Sequence, residues 1–144
     1  MIDKHHVDLV LQGHDHTYAR SGLATASTID AVKNEATGVK GHSAAGTVYV
    51  VSVSGPKMYD LGTPLRTEFR RVAEGVQLFQ IITIEDDELR YVARTATGQP
   101  YDGFTLKKRE GQPNELIEQV PDTPQRLRPA KPPTAVPATT AKVK

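Results

Sequence analysis

Residues 7–20, VDLVLQGHDHTYAR, decide how the chain is read. The first part, residues 7–12, is a short, nearly continuous apolar run, which predicts a parallel strand covered on both faces. Gly13, His14, Asp15 and His16 follow at once. Two imidazoles therefore stand at i and i+2 at the carboxyl end of a strand, where open α/β sheets form their ligand crevice. In extended backbone such positions face one side, so both rings can reach one metal ion or two adjacent ones. Gly13 has no Cβ and permits a sharp turn or a close backbone approach. Out of context, H-x-H is also the pattern of ordinary surface or hydrogen-bonded histidines.

Beyond this stretch, residues 21–46 are rich in Ala, Thr, Ser and Gly without a sustained period, and read as a long loop. Loops of that length tend to be functional or poorly ordered. Residues 47–54, TVYVVSVS, form a valine-rich strand candidate closed by the turn signal Ser54, Gly55, Pro56. Residues 76–84 (VQLFQIITI) and 88–96 (ELRYVARTA) flank Glu85, Asp86 and Asp87, and read as two antiparallel strands joined by a tight turn. Residues 101–108 supply one more. From about Gln112 the pattern fails, as Pro113, Pro121, Pro124, Pro129, Pro132, Pro133 and Pro137 arrive with almost nothing to bury. The expected division is a β-rich unit over residues 1–110 and a disordered Pro/Ala/Lys-rich tail over residues 111–144.

Composition narrows the chemistry. A chain of 144 residues with 38% hydrophobic content supports one modest core. Cysteine is absent, so a transition-metal site must be built from imidazole, carboxylate, amide or phenol groups. Five of the 18 basic residues (Arg126, Arg128, Lys131, Lys142 and Lys144) lie in residues 123–144 without an acid, leaving 13 against 17 acidic residues elsewhere. That basic tail is sparse and has no aromatic residue on which a base could stack, so nucleic acid is not specifically indicated. No run approaches the roughly 18 apolar residues of a membrane span, and residues 1–6 have no apolar signal region. A buried-type strand that begins at residue 7 lacks the preceding strand and crossover helix of a βαβ unit. The expectation is a missing N-terminal portion, with residues 1–6 as the end of a helix. The alternative is an all-β arrangement in which the later strands cover residues 7–12.

VDLVLQGHDHTYAR resembles the last metal-binding block of calcineurin-like metallophosphoesterases, G-H-x-H, in the extended form G-H-x-H-x-Y-x-R found in purple acid phosphatases and their bacterial relatives. Residues 46–60, GTVYVVSVSGPKMYD, look like the strand and turn that follow the block in bacterial members. The likeness covers the chain up to residue 60 and continues weakly to Lys108. It implies the C-terminal part of an α/β fold, a four-layer α/β/β/α sandwich, β-rich in this piece. It further implies two metal ions drawn from iron, manganese and zinc, with His14 binding the second and His16 the first. Such a pair lowers the pKa of a bridging water and orients a phosphate ester for in-line attack. The implied activity is hydrolysis of phosphomonoesters or phosphodiesters, and bacterial relatives of this kind are often periplasmic or secreted.

The chain also departs from the family. The D-x-H or D-x-G, G-D-x-x-Y, G-N-H and further histidine blocks, which precede G-H-x-H in the family, are not in this sequence. Two imidazoles leave a tetrahedral ion half-coordinated, so the isolated chain is expected to be inactive. Ala19 stands where purple acid phosphatases usually carry glutamate.

The neighbours offer further candidates, each with a plainer reading. Arg20 is a possible phosphate contact through its bidentate fork, with Tyr18 beside it, and packing or a surface ion pair is the alternative for both. Asp15 is either an acceptor for a ligand imidazole N–H or a solvated carboxylate. Lys57 either faces an anionic substrate or is a surface lysine. His42, in KGHSAAG, is a third ligand only if the site is a mononuclear zinc centre with His14 and His16. His5 and His6 read as surface residues, and Ser54 has neither a nucleophile elbow nor a base. The competing function is a non-catalytic β-rich binding or interaction domain with a basic tail.

Overall fold

The computed structural model describes residues 2–25 and 46–129. After a single 3-10 turn, Asp3–His5, the described chain forms two four-stranded sheets and one short α-helix. The first sheet contains β1 (Leu9–Gln12), β2 (Tyr18–Ala24), β3 (Thr47–Val51) and β4 (Arg71–Ala73), in the spatial order β1-β3-β2-β4. β1 runs parallel to β3, and the other pairs are antiparallel. The helix α1 (Thr63–Glu68) lies between β3 and β4 in sequence. The second sheet is an antiparallel meander of β5 (Leu78–Glu85), β6 (Glu88–Thr95), β7 (Pro100–Lys107) and β8 (Glu115–Glu118).

The two sheets share one core. Tyr18, Leu23, Val48 and Val50 of the first meet Leu78, Tyr91, Ala93, Phe104 and Leu106 of the second. Tyr91 and Phe104 stack with ring centroids 4.7 Å apart. Full burial of each large apolar side chain contributes roughly 1.5–3 kcal/mol, so this interface is the main source of stability. On the other face of β2, Ala19 packs with Leu61 and Val72 in a smaller cluster. A glutamate at position 19 would put a carboxylate among apolar side chains, which accounts for the small residue there.

The β-rich character expected from the sequence is what the described residues show. The strands expected at residues 47–54, 76–84, 88–96 and 101–108 correspond to β3, β5, β6 and β7. Asp86 sits in the β5–β6 turn at φ 50°, a conformation that aspartate tolerates better than most residues.

Three expectations are corrected. Residues 7–12 do pair in parallel, but β1 is at the edge of its sheet, with Leu9 packed on the shared core and Leu11 52% exposed. Among the described residues the strand is covered on one face by the opposite sheet, and is not buried on both faces. The loop drawn from residue 21 is corrected at its start, because residues 21–24 belong to β2, and residues 26–45 with His42 lie outside the described residues. The tail drawn from residue 111 carries β8, and its next residues are tied to β4: Arg71 donates to Thr123, Val72 N–H to the Gln125 side chain and Glu74 N–H to the Arg126 carbonyl. Prolines here interrupt regular structure without preventing packing, since their neighbours' polar groups find partners on β4. Residues 130–144 are outside the described chain.

Among the described residues no helix is long and apolar enough to cross a membrane. The helical layers of an α/β/β/α sandwich are not among the described elements, where α1 has six residues.

Candidate functional site

The corner after β1 is held from below by β3 and the segment that follows it. Ser52 N–H donates to the Gln12 carbonyl at 3.2 Å, which extends the β1–β3 pairing by one step. The chain then leaves the strand. His14, and not Gly13, takes the left-handed conformation, with φ 77°. A Cβ on Gly13 would meet nothing within 4 Å, so the close approach expected at Gly13 is not what the corner uses. The i, i+2 argument fails for the same reason, because residues 13–16 are not extended strand. A non-glycine residue at positive φ costs about 1 kcal/mol or more and persists where its surroundings over-determine it.

The two imidazoles differ in their support. The His14 side chain is 98% exposed, and its one contact among the described residues is Nδ1 to Asp15 Oδ1 at 3.4 Å, too long to orient a ring firmly. Asp15 is itself exposed, as expected of a solvated carboxylate. His16 is half-buried and fixed: its Nδ1–H donates to the Lys57 carbonyl at 2.7 Å. A carbonyl can only accept, so the neutral ring carries its proton on Nδ1 and its lone pair on Nε2. This is the arrangement that metal-binding histidines use, with the second nitrogen oriented by a backbone carbonyl. The His16 carbonyl accepts Tyr59 N–H at 2.9 Å, and the Tyr59 ring lies 4.9 Å from the imidazole at an interplanar angle of 53°. The sequence reading weighed Lys57 and missed Tyr59, although KMYD lies in the stretch that carries the resemblance.

Arg20 points the other way. Its side chain has no exposure, and its donors are committed: Nε to Asp102 Oδ2 at 2.6 Å, one terminal nitrogen to Asp102 Oδ1 at 3.0 Å and to Glu118 Oε2 at 2.7 Å, the other to Glu118 Oε1 and the Ser21 carbonyl at 3.3 Å. Burial alone would lower its pKa, but hydrogen bonding and charge from Asp102 and then Glu118 outweigh it and raise it further. The phosphate contact expected at Arg20 is corrected: no donor is left over, and the group pins β2 to β7 and β8. Tyr18 joins the same cluster, donating to Asp102 Oδ2 at 2.7 Å with the Tyr91 hydroxyl 3.2 Å away. Burial first, then Tyr91 and Asp102, raise the Tyr18 pKa well above its ordinary value. Gly103 keeps β8 close to this cluster, since a Cβ there would stand 3.0 Å from the Gln119 carbonyl.

Asp102 and Glu118 were missed by the sequence reading, and a signal for both was present. Asp102 alternates with Phe104 and Leu106 along β7, and Glu118 with Leu116 along β8. An acid on the apolar parity of a strand needs a buried cation.

Two imidazole donors fit a metal ion as part of a ligand set. Among the described residues no group of three or more His, Cys, Asp or Glu side chains is placed to hold one. His5 and His6 are exposed at the first turn, as expected. Comparison of the chain with family models, with curated proteins and with solved structures finds no match.

Proposed function

We propose that the chain is the C-terminal part of a metal-dependent hydrolase of phosphate esters, in which His14 and His16 supply two of the metal ligands. The observation that carries this reading is the His16 ring, whose Nδ1–H is committed to the Lys57 carbonyl while Nε2 keeps a lone pair with no partner among the described residues. The exposed His14 beside it and the carboxyl end of a parallel β1–β3 pair add support. The reading takes the two facing sheets as the inner layers of a four-layer α/β/β/α sandwich. It assigns the remaining ligands, and the helical layers, to a longer protein that contains this chain. Metal bound there, iron, manganese or zinc, would activate a water and neutralise charge on the phosphate. The residues described here hold and orient: Lys57 fixes the His16 tautomer, and the Arg20 cluster fixes the strand that follows.

Zinc titration of the chain, read by long-range proton–nitrogen NMR of the imidazoles, tests this. The Nε2 signals of His14 and His16 should move before those of His5 and His6, and His16→Ala should weaken the response of His14, its neighbour at the adjacent ion. Equal responses at both histidine pairs, or none, would sink the reading. What would then stand is the second one, a non-catalytic β-rich binding domain, which the fully paired Arg20 cluster also suits.

A further inference from the structure

The segment after β3 presents two side chains beside His16 that its scaffolding role does not require. Lys57 and Tyr59 are locked to His16 through their backbone, by the Lys57 carbonyl and the Tyr59 N–H. Their side chains are therefore positioned without being used for that positioning. Tyr59 is 46% exposed, an unusual place for a large ring that also touches an imidazole. The Lys57 Nζ lies 5.2 Å from the Tyr59 ring centroid and has no ion pair among the described residues. Lys107 and Lys108, by contrast, are paired with Glu88 and Asp8. An ammonium held over one part of a ring keeps donors free for an anion, and a ring half in water keeps area free for stacking.

We propose that Lys57 and Tyr59 form the substrate-binding shelf of this corner, and that the ester they select is a phosphate carrying a planar aromatic group. Lys57 contacts a phosphate oxygen, and Tyr59 stacks on the aromatic ring of the alcohol part. The assignment rests on the phosphoesterase reading above and narrows it from phosphate esters in general to aryl or nucleoside esters. A simple alkyl phosphate would reach Lys57 but gain nothing from Tyr59.

The test compares phenyl phosphate with methyl phosphate on the full chain, by amide NMR titration with and without zinc. Phenyl phosphate should bind about fivefold tighter, the factor that one modest stacking contact supplies. Tyr59→Ala should bring the ratio to one with methyl phosphate unchanged, whereas Tyr59→Phe should preserve it. Lys57→Met should weaken both esters by a similar factor. Both substituted side chains reach the surface, so loss of fold is not expected to obscure the comparison. Equal affinity for the two esters on the parent chain, or a ratio that survives Tyr59→Ala, overturns the shelf. The imidazole signals recorded in the same samples separate the two ideas. A zinc response without ester discrimination removes the shelf alone, and discrimination without a zinc response supports the shelf while removing the metal site.

Discussion

His14 and Arg20 belong to one short block of sequence and meet opposite environments. The His14 side chain is 98% exposed, in left-handed backbone, with one weak contact among the described residues, whereas Arg20 has no exposure and every donor engaged. Both are residue types that carry chemistry in phosphate hydrolysis, and type alone does not separate them. What separates them is where the strand begins. β2 starts at Tyr18, is flanked by β3 and β4, and is buried at every residue. A charge that enters such a strand must be matched inside the protein, and Asp102 and Glu118 do so. The corner before it has no such demand, and its groups remain open to ligands.

The largest test of this contrast is at the buried end. Asp102→Ala removes the partner of a buried guanidinium and should cost about 3–5 kcal/mol, measured as a fall in the urea midpoint. That is a large share of the roughly 5–15 kcal/mol that holds a domain folded. Asp102→Asn keeps the shape and loses the charge, and should fall between. A cost under about 1 kcal/mol for the alanine variant would mean that Arg20 is not confined as described, and the contrast with His14 would fail.

A smaller effect separates the hydroxyl from the charge. Tyr18→Phe deletes one hydrogen bond to Asp102, which keeps its Arg20 and Gly103 partners, and should cost about 1–2 kcal/mol near neutral pH. The pH dependence has a definite sign. Tyr18 is held neutral in the fold, with its pKa raised by burial and by Tyr91 and Asp102 above the ordinary 10.0. Its contribution is complete below pH 10 and is lost as pH rises from there toward the folded-state value. The parent should therefore lose stability above pH 10 more steeply than Tyr18→Phe. Parallel slopes would show that Tyr18 already reaches solvent.

Much of the fold was legible for a simple reason. β3, β5, β6 and β7 are rich in branched and aromatic residues with turn signals between them, and local pattern fixes such strands. β1 was legible as a parallel strand but not as an edge, because an apolar run states that a surface is sticky and not what lies on it. β8 was hidden by its flanking prolines, and its support comes from β7, far away in sequence. The candidate site divides along the same line. The H-x-H pair and Lys57 were readable as residue types, while the tautomer of His16 and the internal use of Arg20 depend on partners at Lys57, Asp102 and Glu118 that no local pattern names.

The smallest expected effect has the opposite sign, which makes it the sharpest test of the open end. His14 occupies φ 77°, where a β-carbon is unwelcome, and its side chain makes no contact among the described residues that offsets the cost. His14→Gly relieves the crowding but gives the unfolded chain more freedom, so the net gain should be only about 0.5 kcal/mol. Urea denaturation of the metal-free chain measures it. If His14 is held in this conformation for a ligand, the same variant that is slightly more stable should weaken the zinc response of His16. A destabilised His14→Gly would instead show that the side chain holds the corner together, and the block would then be structural at both ends.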